Sequence, residues 1–165
     1  MELIRGRITV FLLLSATWIL LVRPLGVQEL IVGAGAALVI ALLPGGSGKL
    51  YGEIRFFPRR VFTTIRFLFV FLGELIKSNL DVAFRVLHPK LPINPGIVKV
   101  KTRLISRLGR IALANSITLT PGTITVETKG DTFYIHWIDA RAKNIEESTK
   151  AIVEKFERYL EVIFG

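Results

Sequence analysis

Apolar residues crowd into the first half of the chain and thin out after Pro89. The first uncharged run, Ile8 to Val22, is flanked by Arg5, Arg7 and Arg23. The second, Leu30 to Leu43, carries a patch of small residues, Gly33, Ala34, Gly35, Ala36 and Ala37. Small residues let helix backbones approach closely in lipid. Pro24 and Gly26 between the runs suit a tight turn. Each run is shorter than the roughly 20 apolar residues of a typical span. Flanking residues can extend both, so residues 1–44 read as a compact two-helix transmembrane hairpin. A basic start before a short apolar core also describes a signal peptide. The following VRPLGVQEL offers no small-x-small cleavage site, so the first helix is expected to stay.

Residues 45–58 form a turn-rich basic loop. Lys49, Arg55, Arg59 and Arg60 fall on the same side of a two-span hairpin as Arg5 and Arg7, and only Arg23 lies opposite. The positive-inside rule then puts the N-terminus and this loop in the cytoplasm. Residues 59–88 change the pattern. At 100° per residue, Arg59, Arg60, Thr63, Arg66, Glu74, Lys77, Ser78, Asp81, Arg85 and His88 gather on one face of a helix. Val61, Phe62, Ile65, Leu68, Phe69, Leu72, Leu75, Ile76, Val82, Ala83, Val86 and Leu87 gather on the other, with Phe67 and Val70 as exceptions. A long helix with a sustained charged stripe fits an amphipathic interfacial helix lying along the membrane. The alternative is a third transmembrane span packed against a partner, because Arg66 and Glu74 at mid-bilayer are costly unless paired. His88-Pro89 ends the helix. Residues 89–95, with three prolines, form an extended linker.

Residues 96–165 alternate and then turn helical. GIVKVKT (96–102) alternates like a strand. Leu104, Ile105, Leu108, Ile111, Ala112 and Asn115 mark one face of a helix. Thr123–Thr128 and Thr132–Ile138 alternate around the turn Lys129-Gly130-Asp131, which predicts a hairpin. Asn144 with Glu147 resembles a capping box. The helix after it is expected to bury Ile145, Ile152, Phe156, Tyr159, Leu160 and Ile163. The order β-α-β-β-α, with two helices covering one face of a three-stranded sheet, predicts a small cytoplasmic α+β domain of abbreviated ferredoxin-like form. Such a core is marginal alone, so docking onto membrane partners would support it.

Composition narrows the chemistry. Hydrophobic residues make up 51% of the 165-residue chain and the net charge is +9. From residue 90 onward there are twelve Lys and Arg against eight Asp and Glu. The excess is therefore spread over both halves rather than gathered in a nucleic-acid patch, and a lipid bilayer is the expected anionic surface. No cysteine is present, which excludes disulfides, thiolate chemistry and Cys-ligated metal centres. His88 and His136 are too few for a His-based metal site. His136 and Asp139 point to opposite faces of a strand and cannot form a local dyad. No catalytic set, cofactor loop or metal cluster is legible, and no cofactor is expected.

The two apolar runs hold no ionisable residue, whereas a cation or proton path normally needs such groups within the membrane. Glu74 and Lys77 are spaced to pair along the helix. Arg66, Glu74, Lys77, Asp81 and Arg85 are the candidates for docking another subunit.

The stretch ANSITLTPGTITVE (114–127) is the most distinctive in the chain. Together with Glu74-Leu75, LHPKLPINPGIVKV (87–100) and YIHWID (134–139), it resembles the E subunit of Mrp-type (Mnh) multisubunit Na+/H+ antiporters. The similarity covers most of the chain in the same order. It implies a short accessory subunit of a hetero-oligomeric antiporter in the cell membrane, serving assembly while larger subunits carry transport. Related modules occur in membrane-bound hydrogenases and similar respiratory complexes, so hydrogenase-like redox subunits are further expected partners. Thr118, Thr120, Pro121, Gly122 and Thr123 carry over as a structural signature only. Two other readings stay open: direct ion translocation through Glu74 and Arg66, and a membrane-anchored small-molecule sensor.

Overall fold

The computed structural model describes residues 2–22, 26–43, 51–53, 57–142 and 144–165. The chain divides into two compact units, Met1–Arg55 and Phe56–Gly165. In the first, α1 (Glu2–Leu21) and α2 (Val27–Leu42) pack antiparallel. Their seam runs along small residues one turn apart, because Gly33, Ala37 and Ala41 of α2 are buried. A Cβ at Gly33 would overlap the Trp18 indole, whose Nε1 donates to the Glu29 carbonyl at 2.9 Å. Gly35 faces open space and Ala34 and Ala36 are exposed. One edge of the small-residue patch therefore makes the seam. Thr9 and Thr17 donate to carbonyls four residues back, at 3.0 and 2.8 Å. That satisfies both hydroxyls within the helix, as an apolar medium requires. Leu3–Leu21 is long and apolar enough to cross a membrane, whereas α2 is shorter at 16 residues. Arg23, Pro24, Lys49 and Arg55, with most of the basic loop, lie outside the described residues.

The second unit opens with α3 (Pro58–Leu87), 30 residues long with proline in its first turn. It ends at His88, ahead of Pro89, as the sequence predicts. Then follow β1 (Gly96–Lys101), α4 (Arg107–Leu119), β2 (Thr123–Lys129), β3 (Thr132–Trp137), α5 (Ile145–Ile152) and α6 (Glu154–Phe164). The sheet is antiparallel in the order β1-β3-β2. The β2–β3 hairpin turns at Gly130, whose φ of +60° suits glycine. The register slips between Thr125 and Glu127, leaving Val126 as a bulge. Val100, Phe133 and Ile135 of the sheet meet Leu113 and Ile117 of α4 and Ile152, Val153, Phe156 and Leu160 of the last two helices.

Two expectations need correction. Of the predicted α4 face, Leu104 is buried and Ala112 packs on the core, but within the helix the face is one step out of phase: the helix starts only at Arg107 and buries Gly109, Leu113, Ser116 and Ile117, while Ile105 is 90% exposed. Its phase is set by Ser106, whose hydroxyl caps the Gly109 N–H at 3.0 Å. The C-terminal helix is two helices broken at Val153, and Ile145 is exposed. Asn144 caps the first of them, accepting from the Glu147 N–H at 2.8 Å. Ile152, Phe156 and Leu160 are buried as expected, and so is Glu157. That carboxylate accepts from the Thr102 hydroxyl, the Arg103 N–H (2.8 Å) and Arg103 Nε (3.2 Å). It ties the segment after β1 to α6.

Candidate functional site

The signature stretch folds as a staple between α4 and β2. A helix leaves its last carbonyls without internal partners. Here threonine hydroxyls partner two of them, at Ser116 and Ile117, and a third threonine reaches a carbonyl further inside the helix. Thr120 donates to the Ser116 carbonyl at 2.8 Å, Thr123 to the Ile117 carbonyl at 2.7 Å and Thr125 to the Ala114 carbonyl at 3.2 Å. Thr118 works in the reverse sense, accepting from the Thr125 N–H at 3.1 Å. Pro121 stops the helix, and Gly122 turns with φ at +90°. The Gly122 carbonyl accepts from the Ile138 N–H at 2.9 Å, and a Cβ on Gly122 would lie 2.9 Å from Ile138 Cγ2. The spacing of the threonines is thus explained by backbone satisfaction.

The polar stripe of α3 lies against this staple. Phe67 and Phe71 stack at 6.2 Å and pack on Phe156 at 6.3 and 6.2 Å, and Phe67 also meets Tyr159. The docked side of α3 is therefore the polar stripe together with the aromatic residues that interrupt it. Glu74 takes an ion pair from Lys155 at 2.6 Å, and Arg60 Nη2 donates to the Gly165 carbonyl at 2.8 Å. The Glu74–Lys77 pair expected along the helix is replaced by this cross-element pair. Near the C-terminal end of α3, Arg85 is a hub. It meets Asp81 at 2.7 Å, Asp139 at 2.9 Å and the Pro92 carbonyl at 2.6 Å, joining helix, linker and the end of β3. Asn94 closes the same corner, donating to the Ile138 and Ala140 carbonyls at 3.0 Å.

A groove of about 290 Å³ results. Its walls include Glu74, Lys77, Asp81 and Arg85 from α3, Thr120 to Thr123 from the staple, and Asp139 and Lys155 opposite. Two groups of residues singled out from sequence for separate reasons thus share one site. Thr118 and Arg66 are outside it; Arg66 lines a different cleft, with Arg158. Burial pushes the Asp139 carboxyl up, but hydrogen bonds and charge from Arg141 and Arg85 outweigh it and hold the group below its ordinary range. His136 is exposed on the sheet and makes no dyad with Asp139. Among the described residues no three His, Asp or Glu side chains converge as a metal site. The groove's charges are mostly spent on each other and its hydroxyls on backbone, which makes it a clamp between elements.

Sequence reasoning did not find Lys155, Asp139 or Glu157 as partners. Glu157 had a signal: it shares a helix face with Val153, Leu160 and Phe164, and an acid in an apolar stripe implies a buried partner. Lys155 had none, since it lies 81 residues from Glu74 and nothing local distinguishes it.

Known proteins share this architecture. The family described as "MNHE: Na+/H+ ion antiporter subunit" matches residues 11–163. The Na+/H+ antiporter E protein of Alkalihalophilus pseudofirmus is 41% identical over 105 residues, 62% of this chain and 65% of that one. Its E1 counterpart in Staphylococcus saprophyticus is 36% identical over 155 residues, 92% of this chain and 94% of that one. Among solved structures, a chain of the membrane-bound sulfane sulfur reductase, an archaeal respiratory membrane complex, is 43% identical with a TM-score of 0.84, covering 97% of this chain and 99% of that chain. With the family match running from α1 to α6, the chain belongs to the MnhE family, the E subunits of Mrp-type Na+/H+ antiporters.

Proposed function

We propose that the chain is a non-catalytic accessory subunit that assembles and braces a multisubunit Na+/H+ antiporter module in the cell membrane. The α1–α2 hairpin fills a transmembrane site, α3 lies along the membrane surface, and the α+β portion is cytoplasmic. The strand order β1-β3-β2 with its split β-α-β unit supports reading that portion as a ferredoxin-like domain short of its last strand. Partners are the larger antiporter subunits, and the likeness to a chain of an archaeal respiratory complex supports the same role beside redox subunits.

The observation that carries this reading is the sidedness of α3. Its polar stripe meets the folded domain through Arg60, Glu74 and Arg85, and the opposite face leaves Phe62, Leu68, Phe69, Ile76, Leu80 and Phe84 more than half exposed. Exposed apolar surface on this scale marks contact with lipid or protein. An in-plane helix that rests much of its polar side on a folded domain has its greasy side free for the bilayer and neighbouring subunits.

Direct translocation draws less support. Glu74 is held by Lys155, Arg66 lines another cleft, and the runs Ile8–Val22 and Leu30–Leu43 contain no ionisable group. The test is deletion of the chain in cells that carry the whole antiporter. Loss of the assembled complex is expected, with Glu74→Gln restoring both assembly and transport. An intact, fully active complex without the chain would defeat the accessory reading, and a Glu74→Gln complex that assembles but no longer transports would favour the translocation reading.

A further inference from the structure

We propose that the cleft between the first turns of α3 and the last turns of α6 is a headgroup site for an anionic phospholipid. The proposal rests on the reading that α3 lies along the membrane. The cleft encloses about 460 Å³ and presents Arg59, Arg66 and Arg158 around Phe62, Thr63 and Tyr159.

All three arginines are exposed. Arg85, Arg103, Arg141 and Lys155 each find a carboxylate, but among the described residues none of these three makes an ion pair. Two are held in place by aromatic rings instead. Arg158 lies over Tyr159, 4.8 Å from its centroid, and Arg66 over Phe62 at 5.9 Å. Stacking orders a guanidinium without consuming its hydrogen-bond donors. Glu161, which lines a neighbouring cleft with Arg59, is engaged by Arg103 Nε at 3.1 Å. Arg60 is bound to the Gly165 carbonyl. Among the described residues three converging cations therefore stand outside any ion pair, and planar guanidinium donors match phosphate oxygens.

The position of the cleft argues for a lipid phosphate. At 100° per residue Arg59, Arg66 and Lys77 fall along one edge of α3. That edge separates the docked stripe from the exposed apolar face. Phe62, Ile65 and Phe69 begin that face beside the cleft and are 62%, 49% and 71% exposed. Cations bordering greasy surface reach headgroups while acyl chains cover the carbon. A soluble phosphate would need the donors but not the apolar border.

The test uses the full chain in nanodiscs of phosphatidylcholine with a minority of phosphatidylglycerol. Native mass spectrometry of the released protein reads the preference for bound phosphatidylglycerol. Removing two cations with Arg66→Gln and Arg158→Gln should weaken that preference by about thirtyfold. Lys99→Gln with Lys129→Gln, on the exposed sheet, should leave it unchanged. An equal preference in all three proteins would overturn the proposal, and so would displacement of the lipid by millimolar inorganic phosphate. The chain lacks cysteine, so a spin label at Leu72→Cys reports separately where α3 lies. A label in lipid with no loss of preference on removing the arginines sinks the headgroup site alone; a label in water sinks the interfacial reading and this proposal with it.

Discussion

Asp139→Asn isolates the corner where α3, the linker and β3 meet. The substitution keeps the shape of the side chain and removes its charge. Asp139 receives Arg85 at 2.9 Å and Arg141 at 2.8 Å, with side chains 15% and 72% exposed respectively. A hydrogen bond to a charged, largely buried group contributes about 1.5–3 kcal/mol. The bond to exposed Arg141 contributes only ~0–1 kcal/mol. Arg85 keeps Asp81 and the Pro92 carbonyl, so its charge is not orphaned and the ~3–5 kcal/mol cost of stranding a buried ion does not apply. The expected loss is therefore about 2 kcal/mol. The pH dependence follows from the lowered carboxyl pKa of Asp139. A group whose folded pKa lies below its unfolded value stabilises the fold above the unfolded value, and that contribution disappears as pH falls through the folded value. The wild-type chain should exceed the variant by a constant margin from neutral pH down to about 5, and the margin should close below about 4. Trp18→Phe leaves Trp137, which lines the groove beside Asp139, as the single indole reporter. Denaturant unfolding of the full chain in mild detergent then gives both free energies by fluorescence. Equal stability at pH 7, or a gap that persists undiminished at pH 3, would refute the reasoning.

Other positions test other joints. Gly122→Ala should destabilise the second unit by about 2 kcal/mol, combining a strained positive φ with a Cβ forced against Ile138, and thermal melting should register it as a lower midpoint. Glu157→Ala should lose about 3 kcal/mol by leaving the Thr102 hydroxyl and Arg103 N–H unpaired in a buried site; a change within about 0.5 kcal/mol in denaturant titration would contradict the role given to that carboxylate. Gly33→Val should open the hairpin where Trp18 packs. In a Trp137→Phe background, the Trp18 fluorescence should then shift relative to the protein with Gly33 in place, and an unchanged spectrum would contradict the packing.

How far the fold could be read in advance depended on the range of the interactions. The strands, their hairpin and the end of α3 were legible because alternation, Lys129-Gly130-Asp131 and His88-Pro89 are local signals. The phase of α4 was not. Ile105, Leu108 and Ile111 are a plausible apolar face, but the cap at Ser106 and the threonine bonds at the other end hold the helix with Leu113 and Ile117 inward. The polar stripe of α3 was visible as a stripe, and its charges implied a partner. The partner was not visible, since Lys155 and Asp139 come from α6 and the end of β3, far along the chain. Phe67 and Val70 marked the difference. Two apolar residues in a stripe meant for water are anomalous on an isolated helix, and they make sense once that stripe is a seam: both are half-buried, and Phe67 sits against Phe156 and Tyr159. The stripe's interruptions thus held more information about its partner than its charges did. A charged row suits water, headgroups or protein alike, whereas an aromatic at the same phase suits only a surface with an apolar hollow to receive it.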